Sequence, residues 1–140
     1  MSNHTYPFDK LRANGNWAYE HNEIRFAQVL TYTTLDGESY YGLIAYRLTD
    51  WFEAGVYYAI SYPDRDDRDG DVQVAVGNPN YRAWQKDLAL SARFDLSESW
   101  LVKLEAHFMN GVALCNIVDN PDGFDEKDWM LFAIKTTFNF

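Results

Sequence analysis

The sequence predicts an all-β fold, an antiparallel up-and-down meander of about six long strands. Three observations predict this fold class. Apolar and polar residues alternate with a period of two along most of the 140 residues, with little sustained helical period. Short turns alternate with long polar connections along the chain. Aromatic residues, which favour strands, make up 17% of the sequence.

The predicted strands are long. Each is close to the ~9–11 residues that a tilted strand needs to cross a bilayer, whereas strands of soluble proteins are typically nearer ~5–6 residues. Their length therefore favours a membrane-spanning sheet. The predicted strands cover residues 23–33, 38–49, 51–62, 81–96, 99–109 and 128–140.

Alternation gives each predicted strand an apolar and a polar face. It is clearest in the last four strands and weakest in the first, where Gln28 interrupts the apolar row. A half-buried soluble sheet alternates in the same way. Two features favour a membrane barrel: charges of both signs on the polar faces, and aromatic residues gathered near strand ends, as in the aromatic girdles of such barrels.

The connections are asymmetric. The second and fourth strands end in tight turns, "LTDWF" and "LSESW", whereas the third and fifth lead into "PDRDDRDGDVQVAVGNPN" and "NGVALCNIVDNPDGFDEK". The first connection, "TLDGES", falls on the same side as the long ones. Short turns at one end and long loops at the other are typical of outer-membrane barrels. We therefore expect the sheet to be part of a transmembrane β-barrel.

Composition excludes several classes. A formal net charge of -9 argues against a nucleic-acid partner, which requires a surplus of Lys and Arg. No apolar run reaches 18 residues, so no transmembrane helix is predicted. The first 15 residues, "MSNHTYPFDKLRANG", lack the apolar core of a signal peptide. The single cysteine, Cys115, has no second thiol for an internal disulfide.

The polar faces supply the candidate functional residues. Charges of both signs across a pore influence which solutes pass; the alternative is that they only neutralise each other and bind water. The predicted pore-lining residues are Arg47, Glu53, Arg93, Asp95, Lys103, Glu105, His107 and Lys135.

Other chemistry is not predicted. Ser91, Glu105 and His107 lie on polar faces, but no motif defines a nucleophile or an oxyanion site, so we expect no enzyme activity. The stretch "DRDDRDGD" is rich in carboxylates but fails the calcium-loop spacing, which predicts a solvated acidic loop and no metal or cofactor. The stretch "NGVALCNIV" is either a constriction folded into the lumen or an extension of the fifth strand.

The C-terminal residues carry a resemblance. "SESWLVKLEAHFMNG" followed by "DWMLFAIKTTFNF" resembles the closing strands of porin-like outer-membrane β-barrel proteins of Gram-negative bacteria. Their last strand alternates apolar residues, ends in Phe and resembles the signal read by the barrel-assembly machinery. Thr136 departs from that pattern. The matching residues are Phe132, Ile134, Phe138 and Phe140.

The resemblance implies a protein of the bacterial outer membrane, surrounded by lipid, whose water-filled lumen passes small polar solutes by passive diffusion. Bacterial barrels of this class have an even strand number of at least ~8. Six strands would leave two open edges, and unpaired backbone cannot face hydrocarbon. We therefore expect residues 16–140 to be the C-terminal segment of a larger barrel, whose full-length parent is a possible homo-oligomer.

Residues 1–15 are expected to be a leader outside the barrel, because "PFDKLRANG" resembles a translated dispersed repeat found at the ends of bacterial reading frames. A flexible native leader is the alternative. A truncated reading frame without a function of its own is a further hypothesis. A different class of function is a soluble up-and-down β-barrel or meander that turns its apolar face inward to bind a small apolar ligand.

Overall fold

The computed structural model describes residues 10–25, 32–115 and 126–139. They form one antiparallel sheet in which each strand pairs with the next along the chain, which confirms the all-β meander. The sheet is not closed into a barrel, so β1 and β6 are its edges. The strands are β1 Leu11–Arg25, β2 Tyr32–Arg47, β3 Phe52–Tyr62, β4 Gln85–Ser97, β5 Trp100–Asn110 and β6 Asp128–Phe138.

The register continues the two faces from strand to strand. Residues directly opposite each other in an antiparallel pair share a face. Leu104 lies opposite Ala92 on one side and Ile134 on the other, while its neighbour Lys103 lies opposite Arg93 and Lys135. The face assignment predicted for the last four strands is therefore confirmed.

The first two predicted strands are wrong in position. The prediction places a strand at 23–33, of which residues 26–31 lie outside the described ranges; in the described part, residues 23–25 are the end of β1 and Tyr32 begins β2. Consequently the stretch "TLDGES", predicted as a connection, lies within β2. Asp36 and Gly37 are a turn signal locally, yet in the fold they pair with His21 and Glu20 of β1. The predicted fourth strand also begins too early, because the chain forms a 3-10 turn at Asn80–Arg82.

β1 begins inside the segment predicted as a leader. Leu11 lies opposite Tyr46 and Gly15 opposite Gly42, so residues 11–15 are paired with β2. The leader assignment for residues 1–15 otherwise stays a prediction, since residues 1–9 lie outside the described ranges.

The strands are staggered along the sheet. We followed the residues that lie directly opposite each other from strand to strand, starting at Ala133, the centre of β6. This row crosses all six strands and reaches β1 at Arg12, six residues before Ala18, the centre of β1. A displacement of six residues is ~20 Å along a strand, and five strand spacings are ~24 Å across the sheet. This stagger corresponds to a strand tilt of ~40° relative to the axis of a barrel, within the ~35–45° of closed barrels.

The connection between β3 and β4 is folded. It contains a 3-10 turn at Arg65–Asp67 and a helix, α1, at Asp71–Ala75. The Asp67 carboxylate is only 5% exposed and accepts hydrogen bonds from the backbone N–H groups of Val72 (2.9 Å) and Gln73 (3.3 Å). The sequence-based description of this loop as simply solvated is therefore wrong for Asp67. No helix in the described ranges is long and apolar enough to span a membrane.

Candidate functional site

The polar face of the sheet contains the candidate site, and it is more shielded than the apolar face. Val56 and Leu90 on the apolar face of β3 and β4 are 48% and 47% exposed, whereas Glu53 and Ala89 on the polar face of the same strands are 8% and 3% exposed. The polar side chains contact each other across the strands, and residues 111–115 lie over one end of this face. We conclude that the sheet curves toward its polar face.

Most of the charged residues predicted to line a pore occupy two adjacent rows near the short turns. One row runs across five successive strands and contains four basic residues and one acidic residue. Glu105 lies in the next row, opposite Ser91. Asp95 lies at the end with the short turns, near the 98–99 turn. The five-strand row consists of Arg47, Glu53, Arg93, Lys103 and Lys135.

These charges pair with each other. The Asp95 carboxylate accepts hydrogen bonds from Arg47 and from Arg93 Nε, the latter at 2.8 Å. Lys103 Nζ lies 2.6 Å from Glu105 Oε1. Ion pairs of partly exposed side chains stabilise a protein only modestly. The main result of the arrangement is therefore a ladder of fixed charges on the polar face, and its contribution to the stability of the sheet is small.

Sequence reasoning missed one member of this ladder. Arg12 of β1 donates a hydrogen bond to Glu53 of β3, across the intervening strand β2. Arg12 falls in the segment expected to be a leader, so it is absent from the predicted pore-lining residues. The available signal was the alternation of Leu11 and Ala13 with Arg12 and Asn14, which continues the period of two into this segment.

The half of the polar face nearer the long connections carries fewer charges. Its ionisable pair is His107 and Asp87, with Nδ1 2.9 Å from Oδ2. The rings of Tyr41 and Tyr57 lie on the same face with their centroids 6.0 Å apart. His107 therefore lies on the polar face, and its partner Asp87 was not among the predicted pore-lining residues.

The residues considered for catalysis are not assembled into a triad. Ser91 lies opposite Glu105 in the ladder. His107 contacts Asp87 through Nδ1, and no hydrogen bond between His107 and Ser91 is present in the described part of the chain. Within the same ranges, no group of three His, Cys, Asp or Glu residues is arranged to hold a metal ion.

The chain after β5 turns over the end of the polar face. Gly111 has φ +90, and the backbone N–H groups of Val112 and Ala113 donate to the carbonyls of Tyr81 (3.0 Å) and Trp84 (3.2 Å). The Leu114 N–H donates to Gln85 Oε1 at 2.9 Å, on the polar face of β4. The described residues after β5, 111–115, therefore turn toward the start of β4 and do not continue β5 as a strand. The constriction alternative for "NGVALCNIV" stays a prediction, because the described sheet is open.

The apolar face is bordered by aromatic residues at both ends. Near the short turns, Phe52 and Phe94 have ring centroids 5.2 Å apart, and Trp100 and Phe138 have theirs 5.9 Å apart. Near the long connections, Trp17 and Tyr19 stack at 6.3 Å. A band of aliphatic side chains lies between the two groups. Its most exposed members are Ile44, Val56, Leu90 and Ile134.

A rim of polar contacts joins the β3–β4 connection to the sheet at the end with the long connections. Glu38 is 7% exposed and accepts hydrogen bonds from Trp17 Nε1 (3.1 Å), Tyr40 and Arg68. The Arg68 guanidinium also lies 5.2 Å from the centroid of the Tyr62 ring. These contacts fix the β3–β4 connection to β2.

The residues predicted as an assembly signal lie on the apolar face where the structure describes them. Phe132, Ile134 and Phe138 share that face of β6, and Phe140 lies outside the described residues. Comparisons with protein-family models, with curated proteins and with solved structures find no match.

Proposed function

We propose that the chain is part of a porin-like outer-membrane β-barrel through which small polar solutes diffuse passively. The observation that carries the proposal is the reversed relation between polarity and exposure. The sheet presents its aliphatic and aromatic face outward and shields a charged face, as a barrel does when lipid surrounds it and water fills it. A sheet in water is expected to do the opposite.

The dimensions support the same proposal. Phe52 and Tyr62 mark the two ends of β3, ten residues apart. Ten residues correspond to ~33 Å along the strand, and a tilt of ~40° reduces this to ~25 Å along a barrel axis. The apolar band of an outer-membrane barrel is ~25 Å tall and is flanked by aromatic residues. The strands, of 11 to 16 residues, are long enough to cross it.

The charged ladder favours a lumen that solutes pass through over a lumen that is sealed. Fixed charges in a water-filled pore attract or repel ions and so change their relative permeability. Lys135 is exposed on the polar face of the edge strand, next to Lys103 in the ladder. This position makes Lys135 a suitable residue for testing whether the polar face lines a conducting path.

The proposal is tested by reconstituting the chain in lipid bilayers and measuring ion currents in a salt gradient. We expect pores, and we expect Lys135→Glu to shift the reversal potential toward cation selectivity. Thr136→Val, on the opposite face of the same strand, should leave the reversal potential unchanged. A chain that folds as a soluble monomer without detergent or lipid would overturn the proposal.

One observation favours the second candidate function, a soluble meander that binds a small apolar ligand. The apolar face contains an open groove of about 870 Å³, lined among others by Tyr58, Leu88, Phe108 and Met130. In this alternative the groove is the ligand site and the apolar face is turned inward. The alternative requires the sheet to curve toward the apolar face, opposite to the curvature inferred above. Solubility without detergent decides between the two.

A further inference from the structure

Resting on the proposed membrane-barrel function, we infer that the open edges of the sheet are complementary to each other, and that two copies of this chain close a barrel of 12 strands. The inference concerns what covers the backbone edges of β1 and β6. An unpaired edge cannot face hydrocarbon, because each unsatisfied backbone group there costs several kcal/mol. The edges therefore need a partner in the membrane.

The six described strands do not form a barrel that could hold this polar face. With strands ~4.8 Å apart and tilted by ~40°, six strands would close at a diameter of ~12 Å, little more than the ~10 Å between two packed sheets. Such a barrel has no room for facing layers of Arg, Lys and Glu side chains. Twelve strands close at ~24 Å under the same geometry, an even number within the range of outer-membrane barrels.

The directions of the two edges fit a second copy. β1 starts beside the end of β2, where Leu11 lies opposite Tyr46, so it runs away from the short turns. β6 ends where Phe138 lies opposite Trp100, so it runs toward them. A two-fold axis along the barrel therefore places β6 of one copy antiparallel to β1 of the other. It also keeps both apolar faces outward and both sets of long connections at one end.

The exposure of the edge residues indicates a missing neighbour. Ile134 and Met130 of β6 are 79% and 60% exposed, whereas their ladder partners Leu104 and Phe108 in β5 are 41% and 43% exposed. All four share the outward face. The excess on β6 is the side-chain area that another strand beside it would contact.

The stagger of the sheet gives the register of the new pair. The stagger of six residues over five strand steps extrapolates to about seven residues over the six steps that lead to the second copy. Because residues that lie opposite each other must share a face, this shift must be even, so it is six or eight residues. The row through Ile134 reaches Leu11 within one copy. It therefore continues to Trp17 or Tyr19 of the second copy. On the lumen side, Ala18 of the second copy then lies opposite Ala133 or Lys135.

Disulfide crosslinking tests this register. The chain carrying Cys115→Ser is refolded in detergent micelles with the pair Ala18→Cys and Ala133→Cys, or with the pair Ala18→Cys and Lys135→Cys. After mild oxidation we expect one pair to give a covalent dimer in at least ten-fold higher yield than the Ala18→Cys variant alone. In the single variant, the two cysteines face each other across the barrel, too far apart to bond.

The second measurement is the mass of the protein component in micelles, made on the Cys115→Ser chain so that it does not depend on the introduced cysteines. Two chains per micelle are expected. One chain, or a mixture of larger assemblies, would overturn the inference, as would equal crosslinking by the single variant. A monomer that still requires detergent would overturn this inference alone, leaving the barrel proposal intact and pointing to strands of a longer chain at the edges.

Discussion

The two faces of the sheet have opposite relations between chemistry and exposure. Leu104, near the centre of β5, is 41% exposed on the apolar face, while Glu53 on the polar face is 8% exposed. In a sheet stabilised in water, burial of the apolar face supplies most of the favourable free energy. In this sheet the charged face is the more shielded of the two, which is the reverse arrangement.

The consequence concerns stability. Within the described residues, no large side chain is fully buried, and the buried apolar residues are small or lie in the connections, apart from Met109. Such a sheet has little hydrophobic stabilisation of its own. Under the proposed membrane location, contact of the apolar face with lipid supplies this free energy, and we expect that face to be the more sensitive of the two.

The largest effect is expected for a charge on the apolar face. Leu104→Lys places an ammonium group near the middle of the proposed membrane span, at an expected cost of about 2–4 kcal/mol in the free energy of unfolding. The measurement is urea-induced unfolding from lipid vesicles.

The matched control for this variant is Lys103→Leu, one residue away on the polar face. It removes the pair with Glu105, which is partly exposed, so a cost of about 0.2–1 kcal/mol is expected. If both variants destabilise the protein equally, the difference between the faces has no energetic meaning and the membrane assignment fails.

The next effect concerns the segment that covers the polar face. Gly111 has φ +90, and a Cβ at this position would clash with the carbonyl oxygen of Trp84. Gly111→Ala should therefore displace residues 111–115. The expected cost is roughly 2 kcal/mol or more, from backbone strain and the clash together. Hydrogen exchange at the Val112 and Ala113 amides should become faster.

The control is Gly77→Ala, which separates strain from the clash. Gly77 has φ +85, but a Cβ added there would have no described atom within 4 Å beyond its immediate chain neighbours. Only the strain of about 1–2 kcal/mol is expected there, with no change in exchange at Val112. Equal effects of the two substitutions at Val112 would show that residues 111–115 do not depend on the fit against Trp84.

The sequence predicted these faces well where the chain is regular. From β3 to β6, the period of two alone assigned the outward and the polar residues, because the strands are long and every residue contributes to the same pattern. The charged row from Glu53 to Lys135 followed from that assignment, and Arg47 of β2 continues it. The prediction required only that neighbouring strands pair in sequence order.

The same reasoning failed at β1 and β2 because local signals opposed the tertiary pairing. Asn14, Gly15 and Asn16 favour a turn, as do Asp36 and Gly37, yet all five lie in paired strands. Pairing along a whole strand outweighs such preferences. The contact between Arg12 and Glu53 spans 41 residues and crosses a strand, so no local pattern reports it.

A smaller effect tests that missed contact. In a double-mutant cycle of Arg12→Ala and Glu53→Ala, we expect a coupling free energy of about 0.5–1 kcal/mol, since the Arg12 side chain is 59% exposed and solvent screens the pair. The measurement is the unfolding free energy of the four proteins in micelles. A coupling of zero, with Arg12→Ala silent, would show that the contact between Arg12 and Glu53 contributes nothing to the stability of the sheet.

The smallest effect is a change of rate at Cys115, which reports how well the polar face is covered. Burial raises the pKa of the Cys115 thiol, and its Sγ lies 3.9 Å from Gln85 Oε1. A raised pKa leaves less thiolate at about pH 8, and thiolate is the form that reacts. Alkylation of the folded protein should therefore be several-fold slower than that of the urea-unfolded chain. Gly111→Ala should remove most of the difference, because it displaces the segment that carries Cys115. Equal rates in the folded and unfolded protein would show that this segment does not cover the polar face.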